Sequence, residues 1–236
     1  MNLMSQRHFD EELSDLKTKL LRMAGQTEDQ IDKALTALVT RDSVLAREVI
    51  ERDHQINALD VEIDEESIRL LALHQPAARD LRLVTTAMKI ATELERISDL
   101  AENVCERAIE LNEEPQLKPY IDIPMMGNMA RMMVKQSIDS FVKDDATLAR
   151  KVLTDDDFVD NLMEQLFREL LSFMIEDTRT ISRAIRLSFI AKYLERMADH
   201  ATNIAELVVY LVEGKIIRHT TPSGPSRNDF TKVEPS

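Results

Sequence analysis

The sequence predicts an all-α protein built from two tandem three-helix bundles that are pseudo-repeats of each other, followed by a disordered C-terminal tail. Only four glycines and seven prolines occur among 236 residues, and strong helix formers fill the stretches between them. In addition, the segment LERISDLAENVCE at 94–106 returns as LERMADHATNIAE at 194–206, with seven of thirteen positions identical. Repetition of this kind indicates that one supersecondary unit was duplicated.

Proline-containing breaks divide each half into three helices. The predicted helices are 6–40, 43–74 and 76–112 in the first half, and 126–143, 145–175 and 177–213 in the second. Pro76 fits the first turn of the third helix, where its missing N–H has no partner to lose. Between the halves, the polar stretch around EEPQLKPYIDIP predicts a linker. The predicted domains are therefore 1–112 and 125–214, joined by the linker 113–124 and followed by the tail 215–236.

The middle helices of the two halves also align with each other. Asp42 and Asp145 precede SVLAREVI and ATLARKVL and are predicted helix N-caps, 103 residues apart. Asp60 and Asp160 are 100 residues apart, so we expect a three-residue deletion near the start of the second copy's middle helix. Helices of about 30 residues, roughly 45 Å long, are not stable alone and must pack side by side as bundles.

Composition and charge exclude several functional classes. The net charge of −13 argues against a nucleic-acid partner and against docking on anionic lipid, because both need a basic face. Cys105 is the single cysteine, so no intramolecular disulfide can form and a reducing compartment is expected. The N-terminus lacks the apolar core of a signal peptide, and the aliphatic run 207–212 is too short to cross a bilayer. These features predict a cytoplasmic protein without membrane insertion.

Polar residues recur with helical spacing in both copies of the repeat. They stand at i, i+4 and i+8 along one stripe of the third helix: Glu95, Asp99 and Asn103, then Glu195, Asp199 and Asn203. Glu95 lies about 120° from the centre of the apolar seam, with Asp99 and Asn103 further round, so the carboxylates of the stripe are predicted to be surface groups. The middle helices carry acids at the same i, i+4 spacing, namely Asp60 with Asp64 and Asp160 with Glu164.

Two neighbouring helices with this spacing bring four carboxylates together, and such a cluster repels itself unless a cation binds. The candidate ligands are oxygens without paired histidine or cysteine, which suits hard ions such as Mg²⁺ or Mn²⁺, or iron held by carboxylates. We therefore predict metal ligands at the ten positions named above, for a divalent or trivalent ion whose identity, Zn²⁺ included, stays open. A helical adaptor whose acids are only solvated is the alternative, and the residues do not decide between the two.

Enzymatic alternatives have weaker support. A di-metal carboxylate oxidase needs Glu-x-x-His motifs on two helices of a bundle, whereas this chain offers one, from Glu51 to His54. Nucleophilic catalysis lacks a glycine-rich elbow or phosphate loop, and Cys105 has no histidine at a recognisable motif spacing. We therefore predict a non-catalytic protein.

Two long segments contain the same LER-x-x-D element. They are HQPAARDLRLVTTAMKIATELERISDLAENVCE in the first half and FRELLSFMIEDTRTISRAIRLSFIAKYLERMADHATNIAELVVYLVEG in the second. Both resemble the PhoU family of phosphate-signalling proteins, and the resemblance covers residues 6–214. It implies a PhoU-like fold of two three-helix bundles.

The resemblance also implies a cytoplasmic negative regulator of the phosphate-starvation response and of phosphate uptake. The implied partners are the ATPase subunit of the phosphate ABC transporter, a sensor histidine kinase and a second copy in a homodimer. Two surface metal sites built from (E/D)-x-x-x-D motifs are implied as well, and fall here on Glu95–Asp99, Glu195–Asp199 and Asp60–Asp64. The fourth pair, Asp160–Glu164, departs from the motif because it ends in Glu.

Overall fold

The protein is all-α over the part of the chain that the structure describes. The computed structural model describes residues 3–217, with side chains from residue 8 onward. These residues form no strand and six α-helices: α1 (Leu3–Thr40), α2 (Ser43–His74), α3 (Ala78–Asn112), α4 (Asp122–Lys143), α5 (Ala146–Glu176) and α6 (Ile181–Glu213). None of these helices carries an apolar stretch of the length required to cross a membrane. From residue 218 onward, the tail predicted to be disordered lies outside the described residues.

The predicted three helices per half are confirmed, with the largest differences, of four residues each, at the starts of α4 and α6. Helix α6 begins at Ile181 rather than at 177, because residues Thr178–Thr180 form a 3₁₀ turn. Helix α4 begins at Asp122, inside the predicted linker 113–124. Pro124 is its third residue, where a backbone N–H has no helical acceptor, so the proline does not delay the helix. α3 begins two residues later than predicted, because the connection after α2 turns through positive φ angles of 46° at Gln75 and 48° at Ala78.

The predicted caps of the middle and last helices are confirmed. Asp42 Oδ1 and Asp145 Oδ1 each accept hydrogen bonds of 2.9 and 3.0 Å from two backbone N–H groups at the start of the next helix. These bonds satisfy two of the four N–H groups that a helix start leaves without partners. Gly214 ends α6 in the left-handed conformation, at a φ of 69°.

Helices α2, α3, α6 and α5 lie side by side in that order, and α1 and α4 cover one side of this row. α1 packs on α2 and α3, and α4 packs on α5 and α6. The predicted apolar seam explains the central place of α3, since Leu94, Ile97 and Ala101 are fully buried. Because α3 and α6 also pack on each other, the two bundles share one continuous core. No described helix covers the opposite side of the row.

The burial pattern corrects the predicted alignment of the middle helices. Buried positions correspond at an offset of 103 along their whole length: Ala46, Val49, Ile56, Ile63 and Ser67 with Ala149, Val152, Val159, Leu166 and Leu170. A three-residue deletion inside a helix would turn its buried face by about 60°, and no such turn is present. The expected correspondence of Asp60 with Asp160 is therefore wrong, and Asp160 corresponds to Asn57.

The three-residue deletion lies in the connection between the middle and third helices. The third helices keep the predicted offset of 100, at which Leu94 corresponds to Leu194 and both are buried. Residues 75–77 of the first half have no counterpart in the second, where a 3₁₀ turn at Thr178–Thr180 follows α5 almost directly. Deletions are tolerated in such connections because no buried helical face has to shift.

Two glycines within helices should respond to alanine in opposite directions. A Cβ on Gly127 would lie 2.9 Å from Leu35 Cγ and closer still to its methyl groups, whereas a Cβ on Gly25 meets nothing within 4 Å. We expect Gly127→Ala to lower the free energy of unfolding by roughly 1–2 kcal/mol, because overpacking exceeds the gain in helix propensity. Gly25→Ala should raise it by about 0.5–1 kcal/mol. Urea unfolding of both variants measures the difference, and a stabilised Gly127→Ala variant would contradict the close α1–α4 packing.

Candidate functional site

A cluster of acids lies in the groove between α2 and α3. Asp53 on α2 and Asp99 and Glu102 on α3 each place a carboxylate oxygen within 4.8 Å of the other two. Asp53 is buried, Glu102 is half-buried and Asp99 is exposed, so this first acidic cluster extends from the interior to the surface. Among the described residues it is the only set of three or more His, Cys, Asp or Glu side chains placed closely enough to hold one ion.

Hydrogen bonds fix the carboxylate of Asp53, which is only 6% exposed. Ser98 Oγ donates to Asp53 Oδ1 at 2.5 Å, and Asn57 Nδ2 donates to Asp53 Oδ2 at 2.8 Å. Ser98 Oγ also contacts Gln30 Oε1, so α1 contributes to the same network. Each carboxylate oxygen keeps a second lone pair, and Asp53 can therefore still bind a cation.

Four of the acids around this groove have pKa values above those of ordinary carboxyl groups. Burial raises the pKa of Glu95, and the charges of Asp99 and Asp60 raise it further. Burial also raises the pKa of Asp99 and of Glu102, and the charge of Asp53 acts in the same direction on both. The pKa of Asp60 is raised as well, chiefly by burial. Negative charge in this groove is therefore incompletely compensated by the protein itself.

Two buried oxygens at the groove have no hydrogen-bond partner among the described residues. They are Asn57 Oδ1 and Asp60 Oδ1. A buried acceptor without a donor costs free energy, and coordination to a cation would satisfy it. The available donors are carboxylate and amide oxygens, which suit Mg²⁺, Mn²⁺ or carboxylate-bound iron. The residues of the first half therefore fit a hard metal ion.

A second acidic cluster in the second half comprises Asp156 and Asp160 on α5 with Glu195 and Asp199 on α6. Burial raises the pKa of Asp156 to about 7, and the charges of Asp199, Asp160 and Glu195 add to the effect. Burial likewise raises the pKa of Asp199 to about 6, with Glu195 as the largest charge contribution, although Asp199 stays partly exposed. Both carboxyl groups retain protons at pH values where an ordinary aspartic acid is ionised.

Lys192 distinguishes the second cluster from the first. Its Nζ donates to both oxygens of Glu195, at 2.7 and 2.6 Å. Glu195 is only 7% exposed, so the prediction that the stripe carboxylates are surface groups is wrong at this position. The reason is that α6 packs against α3, α4 and α5, and that the side chain of Lys192, bonded to both carboxylate oxygens, covers Glu195 as well. In the first half the position equivalent to Lys192 is Thr92.

The side-chain NH₂ groups of the two asparagines predicted as metal ligands donate hydrogen bonds to other atoms of the protein. Asn103 Nδ2 donates to the backbone carbonyl of Asp99 on its own helix, at 2.7 Å. Asn203 Nδ2 donates to Glu93 Oε2 at 3.1 Å, and His200 Nδ1 lies 2.6 Å from the same oxygen. Asn203 therefore contributes to the contact between α6 and α3, which joins the two bundles.

The predicted acids of the middle helices are placed unequally. Asp64 lies close enough to Asp60 for its charge to raise the pKa of that carboxyl, so it stands at the edge of the first groove. Asp160 joins the second cluster through its charge interaction with Asp199. Glu164 forms an exposed ion pair with Arg168, at 3.7 Å, one helical turn further along α5.

The sequence prediction missed Asp53, Asp156 and Glu102. Asp53 and Asp156 correspond at the offset of 103, and each replaces an apolar residue within the buried series of its helix. An acid at the same interior position of both repeats was the available signal, which the assumed offset of 100 concealed. Glu102 had no such signal, because its counterpart in the second half is Thr202.

The pKa of Asp156, about 7, and that of Asp199, about 6, predict a pH dependence for the metal-free protein. Both values lie above the unfolded value, so the folded state favours the protonated forms. Their stabilising contribution is complete below about pH 4 and is lost as the pH rises to about 7. We expect the Asp156→Asn/Asp199→Asn variant to gain in unfolding temperature over the wild type as the pH rises from about 5 to 8. A constant difference across that range, measured in the presence of a chelator, would contradict the prediction.

Comparison with known proteins agrees with the two-bundle architecture. A family profile described as PhoU domain matches residues 20–108 and 123–208. A protein of Aquifex aeolicus named phosphate-specific transport system accessory protein PhoU homolog is 47% identical over 208 residues, which cover 88% of this chain and 94% of that protein. The crystal structure of PhoU from Pseudomonas aeruginosa has a TM-score of 0.85 and 44% identity, covering 88% of this chain and all of that one (100%). That of the phosphate transport system regulatory protein PhoU from Streptococcus pneumoniae has a TM-score of 0.83 and 30% identity, with coverages of 88% and 98%. The chain belongs to the PhoU family.

Proposed function

We propose that this protein is a non-catalytic regulatory accessory protein of a phosphate transport system. The observation that carries the proposal is the match of both halves to the PhoU family, whose relatives are named as accessory proteins of that system. When phosphate is plentiful, it restrains phosphate uptake and the phosphate-starvation response. It acts in the cytoplasm as a homodimer and contacts the ATPase subunit of the phosphate ABC transporter and a sensor histidine kinase.

Metal ions at the two acidic clusters are part of the proposal. In the first half Asp53, Asp99 and Glu102 hold the ion, and the unpaired oxygen of Asn57, one helical turn from Asp53, supplies a further ligand. In the second half the four residues of the second acidic cluster are the candidates for the equivalent role, although their described side chains do not lie closely enough together to hold one ion as they stand. A bound ion would supply the positive charge that these acids lack and would tie the middle helix of each bundle to its third helix.

The open side of the helix row is the surface through which we expect the adaptor to act. Helix α3 is flanked by α2 and α6 and covered by α1, so the exposed Asp99 must face the uncovered side. By the same reasoning, Asp199 on α6 faces that side from between α3 and α5. Both acidic clusters therefore open onto one broad surface, and this placement suits a docking role better than an enclosed reaction site.

Deletion of the gene in its host tests the regulatory role. We expect alkaline phosphatase expression and phosphate uptake to rise in phosphate-rich medium, and a plasmid-borne copy to restore both to the starting level. Unchanged expression and uptake after the deletion would overturn the proposal.

A second complementation separates the metal-binding regulator from a helical adaptor without metal. The variant Asp99→Asn/Glu102→Gln keeps the shape of both side chains and removes their charge. We expect it to restore repression only in part, because the first cluster no longer holds its ion. Full repression by a variant that binds no Mn²⁺ would favour the adaptor without metal.

A further inference from the structure

An exposed apolar strip runs along the second half on the uncovered side of the helix row. It comprises Phe167, Leu171 and Ile175 on α5 with Ile181 and Ile185 on α6, which are 38 to 75% exposed. Residues four apart share one helix face, so the strip consists of one row from each helix. The two helices run antiparallel from the turn between them, and Phe167 lines the same small cleft as Ser188, which places the rows side by side.

The strip is a feature of the second half rather than of the repeat. The equivalent positions of the first half hold Asp64, Ile68, Ala72, Leu81 and Thr85. Only two of these are large apolar residues, so the duplicated fold does not require such a surface. A contiguous apolar surface that the fold does not need indicates an interaction site.

Negative charge borders the strip at its far end. Asp160 and Glu164 line a cavity of about 360 Å³ together with Met163, Phe167 and Arg168. Arg168 pairs with Glu164, so the apolar rows lead to a group of three charged side chains with a net negative charge. The protein as a whole carries a net charge of −13. A partner that covers the strip therefore gains most if it brings apolar side chains along its length and basic side chains at the acidic end.

We propose that the strip binds an amphipathic helix of a partner protein, with an apolar face on the two rows and lysine or arginine near Asp160 and Glu164. The inference rests on the proposed function, because it supplies the surface for one of the two partners named there. A second copy of this chain fits less well, since it carries the same net charge of −13 and would add like charge to the complex.

Binding measurements with matched variants test the strip. Purified ATPase subunit of the phosphate transporter and the cytoplasmic part of the sensor kinase are each titrated against the intact protein. The test variant is Leu171→Ser/Ile181→Ser, and the control is Ile68→Ser/Leu81→Ser at the equivalent positions of the first half. We expect the test variant to bind one partner about 30-fold more weakly, as for the loss of an interface hot spot, and the control to bind as the wild type does.

The possible outcomes distinguish a failure of the proposed function from a failure of the strip alone. If the wild type binds neither partner, the proposed function fails and this inference fails with it. If the wild type binds and both variants bind equally well, only the strip is overturned. If the test variant changes the mass of the protein in solution from dimer to monomer and leaves partner affinity unchanged, a second copy occupies the strip and our assignment is wrong.

A second variant tests whether binding can be weakened without destabilising the folded protein. Ile175 is 75% exposed, so Ile175→Lys leaves the core unchanged and places a charged group in the row on which the apolar face of the partner helix has to lie. We expect weaker binding with an unchanged unfolding temperature, and a Kd for the wild type that rises with salt concentration. Binding that is insensitive both to Ile175→Lys and to salt would overturn the basic amphipathic partner.

Discussion

Metal-stripped protein is expected to unfold at a higher temperature once Mn²⁺ is added. The acids around the first groove raise one another's pKa, and a cation among them removes this repulsion. An ion present at 1,000 times its Kd stabilises the folded state by about 4 kcal/mol, which raises the Tm of a chain of this length by roughly 10 °C. The Asp99→Asn/Glu102→Gln variant should lose most of this rise. Thermal unfolding with Mg²⁺, Mn²⁺, Fe²⁺ and Zn²⁺ in turn measures the effect.

The matched control is Glu48→Gln/Glu65→Gln, which removes two charges from exposed positions of α2. We expect this control to keep the full rise in Tm. Without metal, the cluster variant should be more stable than the wild type, because two mutually repelling carboxylates have become neutral. If none of the four ions shifts the Tm of the wild type, the acids hold no ion and the metal centre is contradicted.

The fold was predictable because the spacing of apolar residues within each helix indicates its buried face, and because the same spacing occurs in both halves. The apolar seam of α3, for example at Leu94 and Ile97, follows the helical period, and the same register returns in α6. The start of α4 was less predictable, because Pro124 is a helix breaker in the interior and harmless in the first turn. The sequence alone does not say which of these two positions a proline occupies.

The candidate site was predictable only where it lies on the repeated stripe. Glu95 and Asp99 stand out because their spacing and identity recur in the second half. Asp53 lies within a buried apolar series, and its place in the cluster depends on how α2 packs against α3. The burial of Glu195 depends on three neighbouring helices at once, and a period measured along one helix does not contain that information.

Replacement of Lys192 by threonine, the residue at the equivalent position 92, should destabilise the metal-free protein by about 2–3 kcal/mol. Both oxygens of Glu195 accept hydrogen bonds from Lys192, and Glu195 is buried beside Asp199. Loss of one partner of a fully buried ion pair costs about 3–5 kcal/mol, because the other charge is left uncompensated. The side chain of Lys192 is 44% exposed, which places the expected cost below that range. Urea unfolding in the presence of a chelator measures it.

The metal dependence of Lys192→Thr and the reciprocal substitution, Thr92→Lys, together test whether lysine and a bound ion neutralise the same acids. With metal bound, Lys192→Thr should cost less than without metal, because the ion then neutralises Glu195 in place of the ammonium group. In the first half, Thr92→Lys should stabilise the metal-free protein and weaken Mn²⁺ binding, since a lysine three residues before Glu95 adds a positive charge beside the acids that attract the ion. If Lys192→Thr costs the same with and without metal, the second cluster does not bind an ion. The two halves would then neutralise their clustered carboxylates in different ways: the first half with a bound cation, and the second with the ammonium group of Lys192.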